Sequence, residues 1–332
     1  MNHLWVRLDA FLKSRKQNQA IRHLTADAST REYFRVDWGG GKAIACVYPE
    51  PFKAAVETYL DVTKLFLADA LPVAEILDFD TELGVIIQED LGDTILRDVI
   101  ANEDKSQRKR LRDEAISLIA RIQLLTPKAY EMNSIASRLK FDTEKLEWEL
   151  NYFKMHYFET FLNKPLSAED DALLSTEFHE LAAELESYAS VLCHRDVHLA
   201  NLMIDRKGQM RIIDHQDARI GSPAYDLVSL LLDRITELPS PEWLANKRAY
   251  FLDVRRRLGL SKIDEDEFAY EFRLQTIQRC LKAAGTFAYQ SAVRGKTHFI
   301  PFIKPMFGIS LRGATNLGRF PAIREMLARE LA

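Results

Sequence analysis

The hydrophobic pattern of this chain changes period once, near residue 91, and that change limits the folds open to it. Before it, short runs of strand character recur: Ile21–Leu24, Tyr33–Asp37, Ala43–Tyr48, Val73–Phe79 and Val85–Gln88. Turn chemistry separates them, as in Asp37-Trp38-Gly39-Gly40-Gly41, which reads as a hairpin turn. An opening helix carries Leu4, Leu8 and Leu12, and residues 52–69 have helical spacing through Val56, Tyr59, Leu60 and Leu65. This order suggests a small antiparallel sheet with one helix packed on it. Beyond the change, helical patterns dominate, in Leu111–Leu125, Phe141–Leu162 and Ser167–Tyr188. Two brief strand-like pieces, Asn201–Ile204 and Met210–Ile213, flank a turn at Lys207-Gly208. The expected class is α+β and bilobed: a small antiparallel-sheet N-lobe at residues 1–91 and a large helical C-lobe at 92–332, joined by a short hinge.

Composition narrows the function. Hydrophobic residues make up 47% of the 332, enough for a substantial core. The net charge of -4 gives no global field to draw the chain onto nucleic acid or anionic lipid, so neither is expected as a partner. Cys46, Cys193 and Cys280 are far apart and form no metal-ligand or disulfide pattern. The longest apolar stretch, Leu227–Leu232, is far short of the ~18 residues a membrane span needs. The N-terminus lacks the apolar run of a signal peptide, and a cytoplasmic location is expected.

The chemistry concentrates between Val191 and Leu232. His194-Arg195-Asp196 is followed five positions later by Asn201, and thirteen positions after that by Asp214, directly behind the apolar pair Ile212-Ile213. Each residue alone is a common turn cap. Together they follow the order of a kinase catalytic loop and metal-binding motif, H-R-D-x-x-x-x-N and then Asp at a strand end. Phosphoryl transfer asks for a carboxylate beside the acceptor hydroxyl, which assigns Asp196 as the base. Mg²⁺ is hard and takes oxygen ligands, which assigns Asn201 and Asp214 to the metal between the ATP phosphates. Only twelve steps separate Asp214 from Asp226, too few for a peptide-docking activation segment. A small-molecule acceptor is therefore expected, and no protein substrate. Asp226 either buttresses the catalytic loop or is an ordinary helix-start charge.

The stretch resembles the aminoglycoside phosphotransferase branch of the protein-kinase-like superfamily. More narrowly, three segments resemble the bacterial anomeric kinases of N-acetylmuramate and N-acetylglucosamine in cell-wall recycling. These are Asp27-Ala28-Ser29-Thr30-Arg31-Glu32-Tyr33-Phe34-Arg35-Val36, Asp214-His215-Gln216-Asp217-Ala218 with Tyr225-Asp226-Leu227, and a late set of Gln278-Arg279, Leu281-Lys282, Gly285, Phe287 and Gly295-Lys296. The resemblance implies a protein-kinase-like fold and transfer of the ATP γ-phosphoryl group to an amino-sugar hydroxyl.

On the nucleotide side, Ser29, Thr30 and Arg31 stand where kinases put the glycine-rich phosphate loop, with Arg35 as a second candidate cation. The third-strand lysine of kinases is missing; its expected place, near Val47, is apolar, and Glu57 stands where its glutamate partner would. Either the opening arginines take over, or nucleotide binding is weakened. By the resemblance, backbone groups around Glu89 and Leu91 would hydrogen-bond adenine. On the acceptor side, His198, Gln216, Asp217, Arg219 and Arg279 lie closest to the motif, and Lys282 shares a helix face with Arg279. The aromatic run Trp148, Tyr152, Phe153, His156, Tyr157 and Phe161 reads first as packing, and Arg255-Arg256-Arg257 as a solvent-facing charge run.

Overall fold

The computed structural model describes residues 3–17, 20–24, 31–50 and 53–332. Five strands form one antiparallel sheet in the order β1-β2-β3-β5-β4: β1 Ile21–Leu24, β2 Glu32–Trp38, β3 Gly41–Val47, β4 Ile76–Asp80 and β5 Val85–Glu89. The β2–β3 hairpin closes through Gly39 and Gly40 at φ 56° and 85°, the left-handed backbone that a two-residue turn needs. Helix α1, His3–Ser14, presents Leu4, Leu8, Phe11 and Leu12 to one face of the sheet, against Phe34, Val36, Ala43, Ala45, Val47 and Ile87. Helix α2, Lys53–Leu67, covers the other face, packing Val56 and Tyr59 on Cys46, Tyr48 and Ile86.

The remainder is helical, apart from two small hairpin-like sheets: α3 Leu96–Asn102, α4 Lys105–Leu124, α5 Thr126–Glu131, α6 Ile135–Arg138, α7 Thr143–Lys154, α8 Ala168–Ser187, then β6 Val191–Cys193, β7 Leu202–Ile204, β8 Met210–Ile212 and β9 Arg219–Gly221. There follow α9 Tyr225–Leu232, α10 Pro241–Arg257, α11 Glu265–Ala292, α12 Ile303–Leu317 and α13 Pro321–Leu331. The apolar α9 is wholly buried and is the axis of the large core. Helix α8 begins at Ser167, whose side chain accepts from the Asp170 N–H, as its sequence suggests. Among the described residues, no helix is long and apolar enough to cross a membrane.

Several local expectations need correction. The helix over 141–162 divides into α7 and a π-helical turn, Met155–Phe161. Arg255 is not a surface charge: it is 3% exposed and donates to the Gln123 side chain, where burial lowers its pKa and Glu271 opposes that shift. Val47 packs against α1, whereas Cys46 faces α2, so the apolar residue near the missing lysine points away from the α2 side.

Candidate active site

The β7–β8 hairpin builds the centre of the site. Its strands pair Leu202 with Ile212, and the Ile213 N–H donates to the Asn201 carbonyl at 3.1 Å, which brings Asp214 back beside Asn201. The β6–β9 pair, Val191 with Gly221, aligns the chain entering the catalytic loop with the chain leaving Asp217. These three-residue strands had no clear period of their own in the sequence.

Two residues here hold uncommon backbone conformations. Arg195 has φ 88° and Asp214 φ 64°, and such geometry persists only where neighbours enforce it. For Arg195 the enforcing group is Asp226 at the start of α9. One of its carboxylate oxygens accepts from the His194 N–H at 2.7 Å, the other from the Arg195 N–H at 3.0 Å. Asp226 is fully buried, and burial pushes its carboxyl up to about 6 despite those hydrogen bonds. It therefore buttresses the loop from the first turn of α9, and is more than an ordinary helix-start charge. His194 completes the support by sharing a 3.0 Å hydrogen bond with the Ile213 carbonyl.

Asp196 sits between three cations. Arg279 approaches its Oδ1 at 2.9 Å and Lys282 at 3.3 Å, both from α11, while Arg195 Nε lies 3.9 Å from Oδ2. Burial raises the Asp196 carboxyl, but Lys282, Arg279 and Arg195 outweigh it and hold the group well below the usual carboxylate range. The same burial lowers Lys282. Helix α11 reaches this position because Gly285 lies against the α7 backbone: a Cβ there would stand 2.5 Å from Phe153 Cα. That close crossing also joins Gln278 to the fully buried Glu149 at 2.9 Å. Arg195 Nη2 lies 3.8 Å from the other Glu149 oxygen.

The side-chain amide N–H of Asn201 donates to the Asp196 carbonyl at 3.0 Å. An amide oxygen and a carboxylate, completed by phosphate oxygens, form a donor set that suits Mg²⁺. Asp214 receives hydrogen bonds from Arg31 and, at 3.1 Å, from Gln216. His215, next in the chain, is turned inward: its Nε2 lies 2.7 Å from Thr63 Oγ1 on α2, and its ring stacks on Phe66. Burial, reinforced by His194, pushes its pKa down to about 3, so the imidazole is neutral. This contact ties α2 to the Asp214 loop.

The site residues expected from the sequence fall into two groups. Asp196, Asn201, Asp214, Gln216, Asp217, Arg219 and Arg279 come together. Asp217 lies 3.2 Å from Arg195 Nη1 and 3.9 Å from Arg219, whose guanidinium also covers Phe141. His198 keeps an unpartnered Nδ1 near them. On the other side, Arg31 reaches Asp214 from the sheet, with its guanidinium carbon 5.9 Å from the Tyr33 ring and 5.8 Å from Tyr48. Ser29 and Thr30 lie outside the described residues. Arg35 is committed elsewhere, to Asp90 at 2.8 Å and Asp93 at 2.8 Å. Glu57 is exposed and within 4.0 Å of Lys53 only weakly. At the end of β5, the Glu89 N–H already donates to the Glu75 carbonyl and its carboxylate holds Arg211 at 2.6 Å, so its N–H is not available to adenine. Sequence reasoning missed Glu149, a buried carboxylate that no motif marks.

A five-stranded sheet beside a helical body, with Asp196, Asn201 and Asp214 gathered around one short hairpin, is the arrangement of a kinase-like phosphotransferase. Residues 20–260 match the phosphotransferase enzyme family that includes the aminoglycoside phosphotransferases, and the chain belongs to that family. It is an ATP-dependent phosphotransferase with an alcohol acceptor. It is 32% identical over 280 residues to the N-acetylmuramate/N-acetylglucosamine kinase of Neisseria meningitidis serogroup B, a match covering 84% of this chain and 80% of that protein. Its fold resembles the microcompartment-associated aminopropanol kinase, with a TM-score of 0.63 at 15% identity over 95% of this chain and 99% of the other. ADP-bound aminoglycoside phosphotransferase APH(2'')-Ib gives a TM-score of 0.56 at 13% identity over 91% of this chain and 96% of the other.

Proposed function

We propose that this enzyme phosphorylates an amino sugar, at the anomeric hydroxyl of N-acetylmuramate or N-acetylglucosamine, within peptidoglycan recycling in the cytoplasm. The observation that carries the substrate class is the charge around Asp196. Three cations surround that one carboxylate: Arg279 at 2.9 Å, Lys282 at 3.3 Å and Arg195 at 3.9 Å. A carboxylate-bearing sugar such as N-acetylmuramate is drawn to those cations, and a polycationic aminoglycoside is repelled by them. The names of the curated relatives support the same choice.

In this reading ATP lies between the sheet lobe, about residues 1–91, and the helical lobe, 92–332. Adenine contacts the chain at Glu89 and Leu91 through the groups that the sheet leaves unused. Arg31, with Ser29 and Thr30 before it, supplies the cation that β3 lacks and meets the phosphates at Asp214. Asn201 and Asp214 would hold Mg²⁺, which would supply positive charge to the transferring phosphoryl group. The Asp196 carboxylate orients the acceptor hydroxyl and accepts its proton as the bond to phosphorus forms. Asp196 is a weak base, because its neighbours hold it ionised, and the anomeric hydroxyl is more acidic than an ordinary alcohol, which offsets that weakness. His198, Gln216, Asp217, Arg219 and Arg279 surround the sugar.

Coupled ADP release with N-acetylmuramate, N-acetylglucosamine, hexoses and aminoglycosides tests the reading. Turnover with the N-acetylated sugars supports it, and turnover with aminoglycosides alone would overturn the substrate class.

A further inference from the structure

A cavity of about 680 Å³ opens between the first turns of α4, the end of α9 and the start of α10. It shares no lining residue with the catalytic hairpin or with α11. Its walls carry Lys105, Arg108, Lys109, Arg112 and Lys247 against a single carboxylate, Asp113, a surplus of four positive charges on a chain whose net charge is -4. Asp113 is itself saturated: Lys247 meets one oxygen at 2.5 Å and Lys109 the other at 2.7 Å. Lys105, Arg108 and Arg112 have no carboxylate partner among the described residues. Arg108 donates only to the Glu103 and Ala101 carbonyls, at 2.6 and 3.0 Å.

Arg112 is the informative member. Its guanidinium carbon lies 5.8 Å from the centre of the Trp243 ring. Burial, and then Arg108, lower its pKa, with no acidic neighbour opposing them. A partly desolvated guanidinium facing another cation is a standing cost unless an anion completes the arrangement. Arg108 and Arg112 are four residues apart and share a helix face, a spacing that lets two guanidinium forks converge on one phosphate. The N-terminus of α4 itself is already capped by the Asp104 carboxylate, which accepts from the Gln107 N–H at 2.9 Å, so the cations of the cavity wall supply the attraction. Leu231, Ile235 and Pro239 give the cavity an apolar floor that suits the carbon frame of a small metabolite.

We propose that this cavity is a second ligand site, separate from the catalytic centre, that binds a phosphate-bearing small molecule through Arg108 and Arg112. The distance supports the separation: Arg112 stands twelve residues, about 18 Å, along α4 from Leu124 at the far end of the helix.

Titration calorimetry with inorganic pyrophosphate in EDTA tests the site where the metal-dependent nucleotide site is silent. The wild-type protein is expected to take up one equivalent. The double substitution Arg108→Ala with Arg112→Ala weakens that binding at least tenfold, and Arg31→Ala leaves it within twofold. Circular dichroism melts confirm that each variant is folded. Should removal of the half-buried Arg112 prevent folding, Lys105→Glu with Arg108→Glu, at two exposed positions, gives the same loss. Absence of wild-type binding, or binding lost with Arg31→Ala and kept without Arg108 and Arg112, would overturn the proposal. The proposal does not depend on the sugar substrate.

Discussion

Asp226→Asn separates loop positioning from general stability. The substitution keeps the side-chain shape but replaces one of the two oxygens that hold the His194 and Arg195 N–H groups at 2.7 and 3.0 Å with an amide donor. One buried N–H loses its acceptor, a cost of about 1–3 kcal/mol. The lost bond falls where Arg195 is held at φ 88°, so the loop carries the cost locally. An opposing effect acts on the whole fold. Burial raises this carboxyl from 3.8 to about 6, so keeping it charged at pH 8 costs about 3 kcal/mol, which the neutral amide removes. The two effects nearly cancel in global stability, and the melting temperature is expected to move by less than about 5 °C. Turnover does not share in the cancellation. A loop penalty of that size lowers kcat by about 5–150-fold, with the KM for ATP changing much less. Steady-state kinetics beside thermal melts at pH 8 measure both. Wild-type kcat in a folded Asp226→Asn protein would refute the positioning role.

Arg31→Ala removes the cation that stands at Asp214, and is expected to raise the KM for ATP at least tenfold while the KM for the sugar stays within threefold; Arg31→Lys should recover part of the loss. Equal losses for both substrates in initial-rate measurements would remove Arg31 from the nucleotide side. Glu271 is buried, accepts from Ser222 and the Ala224 N–H, and burial raises it from 4.5 to about 7. A raised folded pKa favours folding below the unfolded value, and that contribution is lost as pH rises from about 4.5 through 7. Relative to Glu271→Gln, the wild-type protein should therefore lose up to about 1.4 kcal/mol per pH unit across that window, read from urea melts at several pH values. Parallel stability curves would show that Glu271 does not titrate there.

The sequence made the sheet, the long helices and the catalytic hairpin legible because each rests on local signals. Gly39-Gly40 closes a hairpin by backbone freedom, Ser167 caps α8, and the spacing from Asp196 to Asn201 and Asp214 follows from one short β-hairpin. What stayed hidden depends on contacts far apart in the chain. The strands β6 and β9 have three residues each and exist because they pair with one another. Arg255 looked exposed in a run of three arginines, and only the packing of α10 on α4 shows that it is buried. Which face of β3 meets α2 is not legible from alternation alone, because helices cover both faces of the sheet. The cation that meets Asp214 could not be chosen between Arg31 and Arg35 from the sequence, since both lie close to the opening motif; the pairing of Arg35 with Asp90 and Asp93 separates them.

The assignment of Asp196 as the group that receives the acceptor proton is the centre of the account. The direct measurement is the rate of ADP release from Mg-ATP and N-acetylmuramate by Asp196→Asn, beside a thermal melt of the same protein. The account predicts a rate at least a thousandfold below wild type in a protein that remains folded and still binds ATP. A folded variant within tenfold of the wild-type rate would contradict it.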